Sequence, residues 1–151
     1  MREFLRKRHL VILTLAAFCL LVSAASFAVH AAGTSYRVIY FLDSDGVGVS
    51  GELRRIPMRN GREQNIELLL DEMILGPVEI SHRRLFPRDV RIESVLYRHG
   101  LLYVDISPSF IYSSDESGTP ISETLRIVER TIRYNFPEVD EIQFSIGGRG
   151  I

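Results

Sequence analysis

Thirteen residues, Asn65 to Pro77 (NIELLLDEMILGP), constrain this chain more than any other stretch, because they specify a helix, its buried face and its end. Ile66, Leu69, Leu70, Met73 and Ile74 fall at i, i+3, i+4, i+7 and i+8, so one stripe faces a core and Glu67, Asp71 and Glu72 lie off it. Gly76 can adopt the left-handed conformation that closes a last turn, and Pro77 lacks the N–H needed to continue the ladder. A second helix is expected from Thr119-Pro120, a capping hydroxyl followed by proline at the first helical position. Its stripe reads Ile121, Leu125, Val128, Ile132 and Phe136, with Pro137 as the stop.

Strands fill the remainder. Ser35 to Asp43 is rich in Val, Ile, Tyr and Phe, Asp43-Ser44-Asp45-Gly46 turns the chain, and Val49 to Met58 returns as a more polar strand. Leu85 and Phe86 are expected to plug the core edge. Val90 to Tyr97 and Leu101 to Ile106 flank Arg98-His99-Gly100, where Gly100 supplies the positive φ of a tight hairpin. Glu141 to Ile146 alternates polar and apolar residues and ends at Gly147-Gly148. The order β-β-α-β-β-α-β implies an α+β fold of two layers, with two helices on one face of a mixed sheet. With 151 residues and 46% hydrophobic content, one core of ordinary size is expected.

Residues 1–31 read as a targeting segment. The basic start Arg2 to Arg8 precedes Leu10 to Val29, twenty residues without a charge, and the tail offers Val29-His30-Ala31 or Ser26-Phe27-Ala28 as cleavage sites. The alternative is an uncleaved anchor at positions 10–29, since about 20 apolar residues span a bilayer core. Either route sends Thr34 onward across the membrane, to the periplasm or the outer face. Cys19, the only cysteine, sits inside the apolar run behind the bulky Phe18, which suits lipidation poorly. Once the basic start is set aside, the chain's 18 cations and 19 acids fall to 14 and 18, a net of −4 that argues against nucleic acid as partner.

No residue pattern announces a reaction. His82 and His99 lie on different elements without metal-ligand spacing and are expected to be solvated loop residues. Asp43-Ser44-Asp45-Gly46 lacks the later acidic ligand of a calcium loop and reads as an Asx-stabilised turn. No serine sits in G-x-S-x-G. No catalytic residue, metal ligand or cofactor site is therefore expected. Two arginine groups flank the first helix, Arg54, Arg55, Arg59 and Arg62 before it and Arg83, Arg84, Arg88 and Arg91 after it. Arg54, Arg55, Arg83 and Arg84 are the candidates for meeting an anionic partner, against the alternative of solvated faces.

Several of these segments, taken in order, resemble the GerMN domain of spore-germination and sporulation proteins. They are the helix closed by Gly76-Pro77, the apolar turn Leu85-Phe86-Pro87, the strand Tyr103-Val104-Asp105-Ile106-Ser107, the second helix, Asn135-Phe136-Pro137, and Ile142 to Gly148 with Gly147 at its turn. The resemblance spans residues 36–148 and implies an exported or membrane-tethered binding module of the cell envelope. The order from Ile66 to Ile146 is also similar to ring-building modules of secretion and sporulation channels, which implies self-association or docking. The expected partners are an envelope protein or cell-wall component, or a second copy, with the membrane engaged only through an uncleaved N-terminal segment. At the recurring acid Asp105 a structural role is expected, accepting bonds from the Ser107 to Phe110 turn. The rival function is a small envelope-polymer hydrolase using Asp105 with Asp115 and Glu116.

Overall fold

The computed structural model describes residues 2–112 and 118–151, with side chains at 12–27, 33–112 and 118–151. The chain divides between Thr34 and Ser35 into two compact units, each with its own architecture.

The first unit is helix α1, Arg2–Ala32, a Leu- and Ala-rich stretch free of Gly and Pro until Gly33. The described side chains from Ile12 to Phe27 are all exposed. Among the described residues no helix is long and apolar enough to cross a membrane. Side chains of the basic start, of positions 10, 11, 28 and 29 of the expected anchor, and of the Val29-His30-Ala31 cleavage site lie outside the described residues.

The second unit is the α+β fold expected. Its elements are β1 (Thr34–Asp43), β2 (Val49–Pro57), α2 (Arg62–Leu75), β3 (His82–Arg83), β4 (Ile92–Arg98), β5 (Leu101–Ile106), α3 (Ser109–Tyr112), α4 (Ile121–Asn135), β6 (Glu141–Ile146) and β7 (Arg149–Gly150). The strands form two hydrogen-bonded sheets where one was expected, ordered β2-β1-β3 and β4-β5-β6-β7. The physical reason lies along β1. It meets β3 only at Leu42 and Asp43, while further back α4 closes the same edge: Tyr40 N donates to Thr131 Oγ1 at 3.2 Å and Val38 N to Asn135 Oδ1 at 3.0 Å. Asn135 Nδ2 returns a bond to Val38 O at 2.6 Å. Side chains stand where a neighbouring strand would otherwise pair.

In the larger sheet β4 and β5 are antiparallel and β5 and β6 parallel, which makes it mixed. Arg98 opposes Leu101 across a two-residue turn in which His99 (φ 50) and Gly100 (φ 86) both take positive φ, matching the right-handed twist of the strands. Gly100 O accepts from Asp140 N and Glu141 N, which sets β6 in register beside β5.

Ile66, Leu69, Leu70 and Met73 of α2 are buried, as their spacing requires. Leu85 and Phe86 are fully buried, Phe86 packing on Phe110 with centroids 5.2 Å apart. The α4 stripe is displaced from the apolar spacing. Thr124, Ile127, Val128, Thr131 and Ile132 are buried, whereas Ile121 and Leu125 are half-buried. Pro120, not Thr119, is the N-cap of α4, and no side chain caps it. Proline's fixed φ replaces the expected hydroxyl at this helix start.

Candidate docking site

Helix α2 ends with carbonyls that lack intrahelical partners and with no basic residue in its last turn. Gly76 closes it at φ 91, its N–H donating to Met73 O at 3.1 Å. The remaining carbonyls are answered from outside the helix. Arg54 Nη1 donates to Glu72 O at 3.1 Å and Nη2 to Gly76 O at 2.6 Å. Arg84 donates from Nη1 and Nη2 to Leu75 O, each at 2.7 Å, and from Nη1 to Ile74 O at 3.1 Å. Two of the four arginines proposed for a partner are thus directed inward, because an uncompensated helix C-terminus is the nearer anionic target. Arg55 is exposed on β2, and Arg83 is half-buried with its guanidinium beside Gly46 and Gly118.

Arg54 leads to the centre of the site. Glu52, 4% exposed, lies one alternation back on the inward face of β2 and receives Arg54 Nη2 at 2.7 Å. Its Oε1 also meets His82 Nδ1 at 2.9 Å and accepts from Glu79 N at 2.9 Å, while Oε2 accepts from Val78 N at 3.2 Å. Burial alone would raise the Glu52 pKa, but these bonds from His82, Arg54 and the two amides outweigh it and hold the carboxyl at about 2.

His82 is not a solvated loop residue. It is enclosed between Glu52 and Asp43, with Nε2 3.7 Å from Asp43 Oδ1 and its ring stacked on Phe41 at 6.2 Å. The cause is β3, a two-residue strand that pairs His82 with Asp43. His99 is exposed in its turn. The Asp43-Ser44-Asp45-Gly46 segment forms the Asx turn read from sequence, Val47 N donating to Asp45 Oδ1 at 2.9 Å. Among the described residues no group of three His, Cys, Asp or Glu is placed to hold a metal ion.

This network fixes the backbone of residues 76–81 while leaving the side chains of Val78, Glu79, Ile80 and Ser81 outside. Glu52 holds the amides of Val78 and Glu79, His82 N donates to Glu79 O at 3.2 Å, and Ser44 N donates to Ser81 O at 2.7 Å. Val78 is 80% exposed and Ile80 99%, with exposed Leu75 on one side and exposed Val47 on the tethered β1–β2 turn. A buried ionic cluster therefore holds an aliphatic loop open to solvent. Sequence reading missed Glu52, His82, Val78 and Ile80. Their one signal was the pair of apolar residues just past the Gly76-Pro77 stop.

The other motif residues have structural places. Pro77 is half-buried behind Gly76, Pro87 is buried after the Leu85-Phe86 plug, and Pro137 is exposed past the end of α4. Gly147 takes φ 56, and a Cβ there would stand 2.9 Å from Pro108 Cγ. Asp105 takes its bonds from a different direction than expected. Its Oδ1 accepts from Ser145 Oγ at 2.6 Å and Gly148 N at 2.9 Å, because parallel pairing sets Asp105 opposite Ser145. The Ser107 turn closes through its own backbone, Phe110 N donating to Ser107 O at 3.0 Å. Asp115 and Glu116, the acids paired with Asp105 in the hydrolase reading, lie outside the described residues.

Architecture and site together define an α+β domain of two small sheets and two packed helices, presenting a braced apolar loop. The profile of the Germane family, described as sporulation and spore germination, matches residues 38–151, and the chain belongs to that family. The tandem GerMN domains of the sporulation protein GerM from Bacillus subtilis are similar in fold, with a TM-score of 0.58 at 18% identity over 78% of this chain. This chain spans only 41% of that tandem structure. The first GerMN domain of the same protein gives a TM-score of 0.58 at 19% identity, covering 78% of this chain and 86% of that one. No curated protein matches the sequence.

Proposed function

We propose that this protein is a non-enzymatic cell-envelope module that docks a protein partner through the loop at residues 75–81, in an extracytoplasmic assembly related to sporulation or germination. The observation that carries the reading is the display of Val78 and Ile80 on a backbone held by buried Glu52. Ordering a loop before binding removes part of the entropic cost of association, and apolar side chains held in water gain most from being covered. Export is supported by the basic start and uncharged run at residues 2–29, whether that segment is removed or retained as an anchor. Family membership supports the sporulation or germination setting. Asp105, with one carboxylate oxygen already shared by two donors, supports a structural part and not that of a hydrolytic acid.

A photo-crosslinking amino acid at Ile80, in cells that make the protein naturally, tests this. One discrete protein adduct is expected from position 80, absent when the probe sits at exposed Arg126 on α4 and absent again when Val78→Asp is added. Equal labelling from both positions, or labelling indifferent to Val78→Asp, would overturn the reading.

A further inference from the structure

Between the end of β2 at Pro57 and the start of α2 at Arg62 the chain turns through Asn60-Gly61. Asn65, inside the first turns of the helix, clasps this junction from both sides. Its Oδ1 accepts from Arg59 N at 2.8 Å, and its Nδ2 donates to Arg59 O at 2.8 Å and to Gly61 O at 2.7 Å. Asn60, between the two gripped residues, is exposed. Among the described residues nothing bonds the Asn60 carboxamide or the Gly61 N–H. Gly61 is the N-cap of α2 at φ −97 and ψ 143, and no side chain caps the helix there. That backbone is open to any residue, and a Cβ would meet Gln64 Cδ at an ordinary 3.4 Å, so the fold does not need glycine at this position.

What glycine supplies instead is an unshielded backbone nitrogen next to a side-chain amide. The other two asparagines, Asn65 and Asn135, precede bulky Ile66 and Phe136, and hydrogen bonds hold both carboxamides. We infer that Asn60 is a self-modification site, at which the chain converts with time to aspartyl and isoaspartyl forms. The Gly61 nitrogen gives up its proton to hydroxide and attacks Asn60 Cγ. An N–Cγ bond forms, the Cγ–Nδ2 bond breaks, and the departing nitrogen takes a proton from water and leaves as ammonia. Water then opens the resulting imide. Hydrolysis of the N–Cγ bond leaves aspartate, and hydrolysis of the original peptide bond leaves isoaspartate, whose main chain runs through Cβ and Cγ. The products differ in their effect on α2. A carboxylate at position 60 lies just before an uncapped helix start, where the dipole favours an anion. Isoaspartate inserts an extra main-chain carbon between Arg59 and Gly61, which Asn65 holds at fixed spacing, so the clasp loses bonds and the start of α2 loosens.

The test ages the full chain in mild detergent over a series of pH values and cuts it with a Glu-specific protease, which releases residues 53–63, 64–67 and 130–138, one asparagine in each. Mass spectrometry is expected to find conversion at Asn60, faster in proportion to hydroxide, with isoaspartate marked by an isoaspartyl methyltransferase. Gly61→Ala should slow the conversion about tenfold or more, because a β-carbon crowds the closing ring. An unchanged melting temperature will show that this variant folds. Separated from its parent, the isoaspartyl chain should melt about 2–4 °C lower, whereas Asn60→Asp should not melt lower. Conversion at Asn65 or Asn135 as fast as at Asn60, none at Asn60, or a rate indifferent to Gly61→Ala would overturn the inference. An isoaspartyl chain that melts with its parent would overturn the loosening of α2.

Discussion

A carboxylate drawn out of water is tolerable only where its partners outweigh the lost hydration, and Glu52 shows the balance at one residue. Its ordinary pKa of 4.5 becomes about 2 in the fold, so the folded state favours the anion. A depressed carboxylate contributes stability that is fully present above its unfolded pKa and is lost as pH falls through the folded value. Each pKa unit corresponds to roughly 1.4 kcal/mol, which makes the contribution about 3 kcal/mol at neutral pH. Thermal melts are expected to fall between pH 4.5 and pH 2 in the wild type. Glu52→Gln should melt lower at pH 7, where it removes the anion shared by Arg54 and His82 and leaves them only Glu72 and the more distant Asp43, and should respond less to acid over the same interval. Parallel pH curves for the two proteins would contradict this account. Asp71 acts with the opposite sign. Partial desolvation on the outer surface of α2 raises its pKa, with Glu67 and Glu72 adding to the effect, and because Asp71 is exposed, solvent screens most of the cost of its charge. Asp71→Asn should therefore be neutral to stabilising by about 0.5 kcal/mol in chemical denaturation at pH 7.

At the scale of elements, the end of α2 combines a backbone rule with a long-range one. Gly76 needs φ 91, and a Cβ there would stand 2.7 Å from Arg84 Nη1. Its ψ of 179 places it in an extended positive-φ region open essentially to glycine, and not in the left-handed helical region expected at this stop, so Gly76→Ala meets a strain of roughly 1–3 kcal/mol and displaces a guanidinium from the helix carbonyls. A loss of about 2–3 kcal/mol in denaturant unfolding is expected, against about 1 kcal/mol or less for an Ala substitution at exposed Arg126. The helix, its stripe and its Gly-Pro stop were legible because local spacing and backbone chemistry specify them. Arg54 and Arg84 as its C-terminal partners were not, since each arrives from another element and an arginine's target is set by tertiary proximity. The same holds for β3, too short for any periodicity, and for buried Thr131 and half-buried Asn135, polar residues turned toward β1 because it needs their hydrogen-bonding groups. The hairpin at His99-Gly100 was legible through its glycine, which takes φ 86 in the turn.

For the molecule as a whole, the described hydrophobic core lies entirely between Ile39 and Ile146, so the second unit contains the apolar burial that folds it. Residues 1–31 are then expected to determine where the domain works and not whether it folds. A chain starting at Ala32 should give a cooperative melt with a midpoint within about 2 °C of the full chain, a change of no more than about 1 kcal/mol at the roughly 2–4 °C per kcal/mol expected for proteins near this size. Size-exclusion chromatography with light scattering on the two chains then separates two sources of assembly. If the domain surfaces alone drive self-association, both chains form the same species and Ile80→Asp with Val78→Asp dissolves it. If the apolar helix gathers copies, only the full chain assembles and its size falls as detergent is raised. The docking reading expects the shortened chain to remain a monomer until its envelope partner is supplied. Assembly of the shortened chain by itself, abolished by those two substitutions, would make a second copy the occupant of the loop.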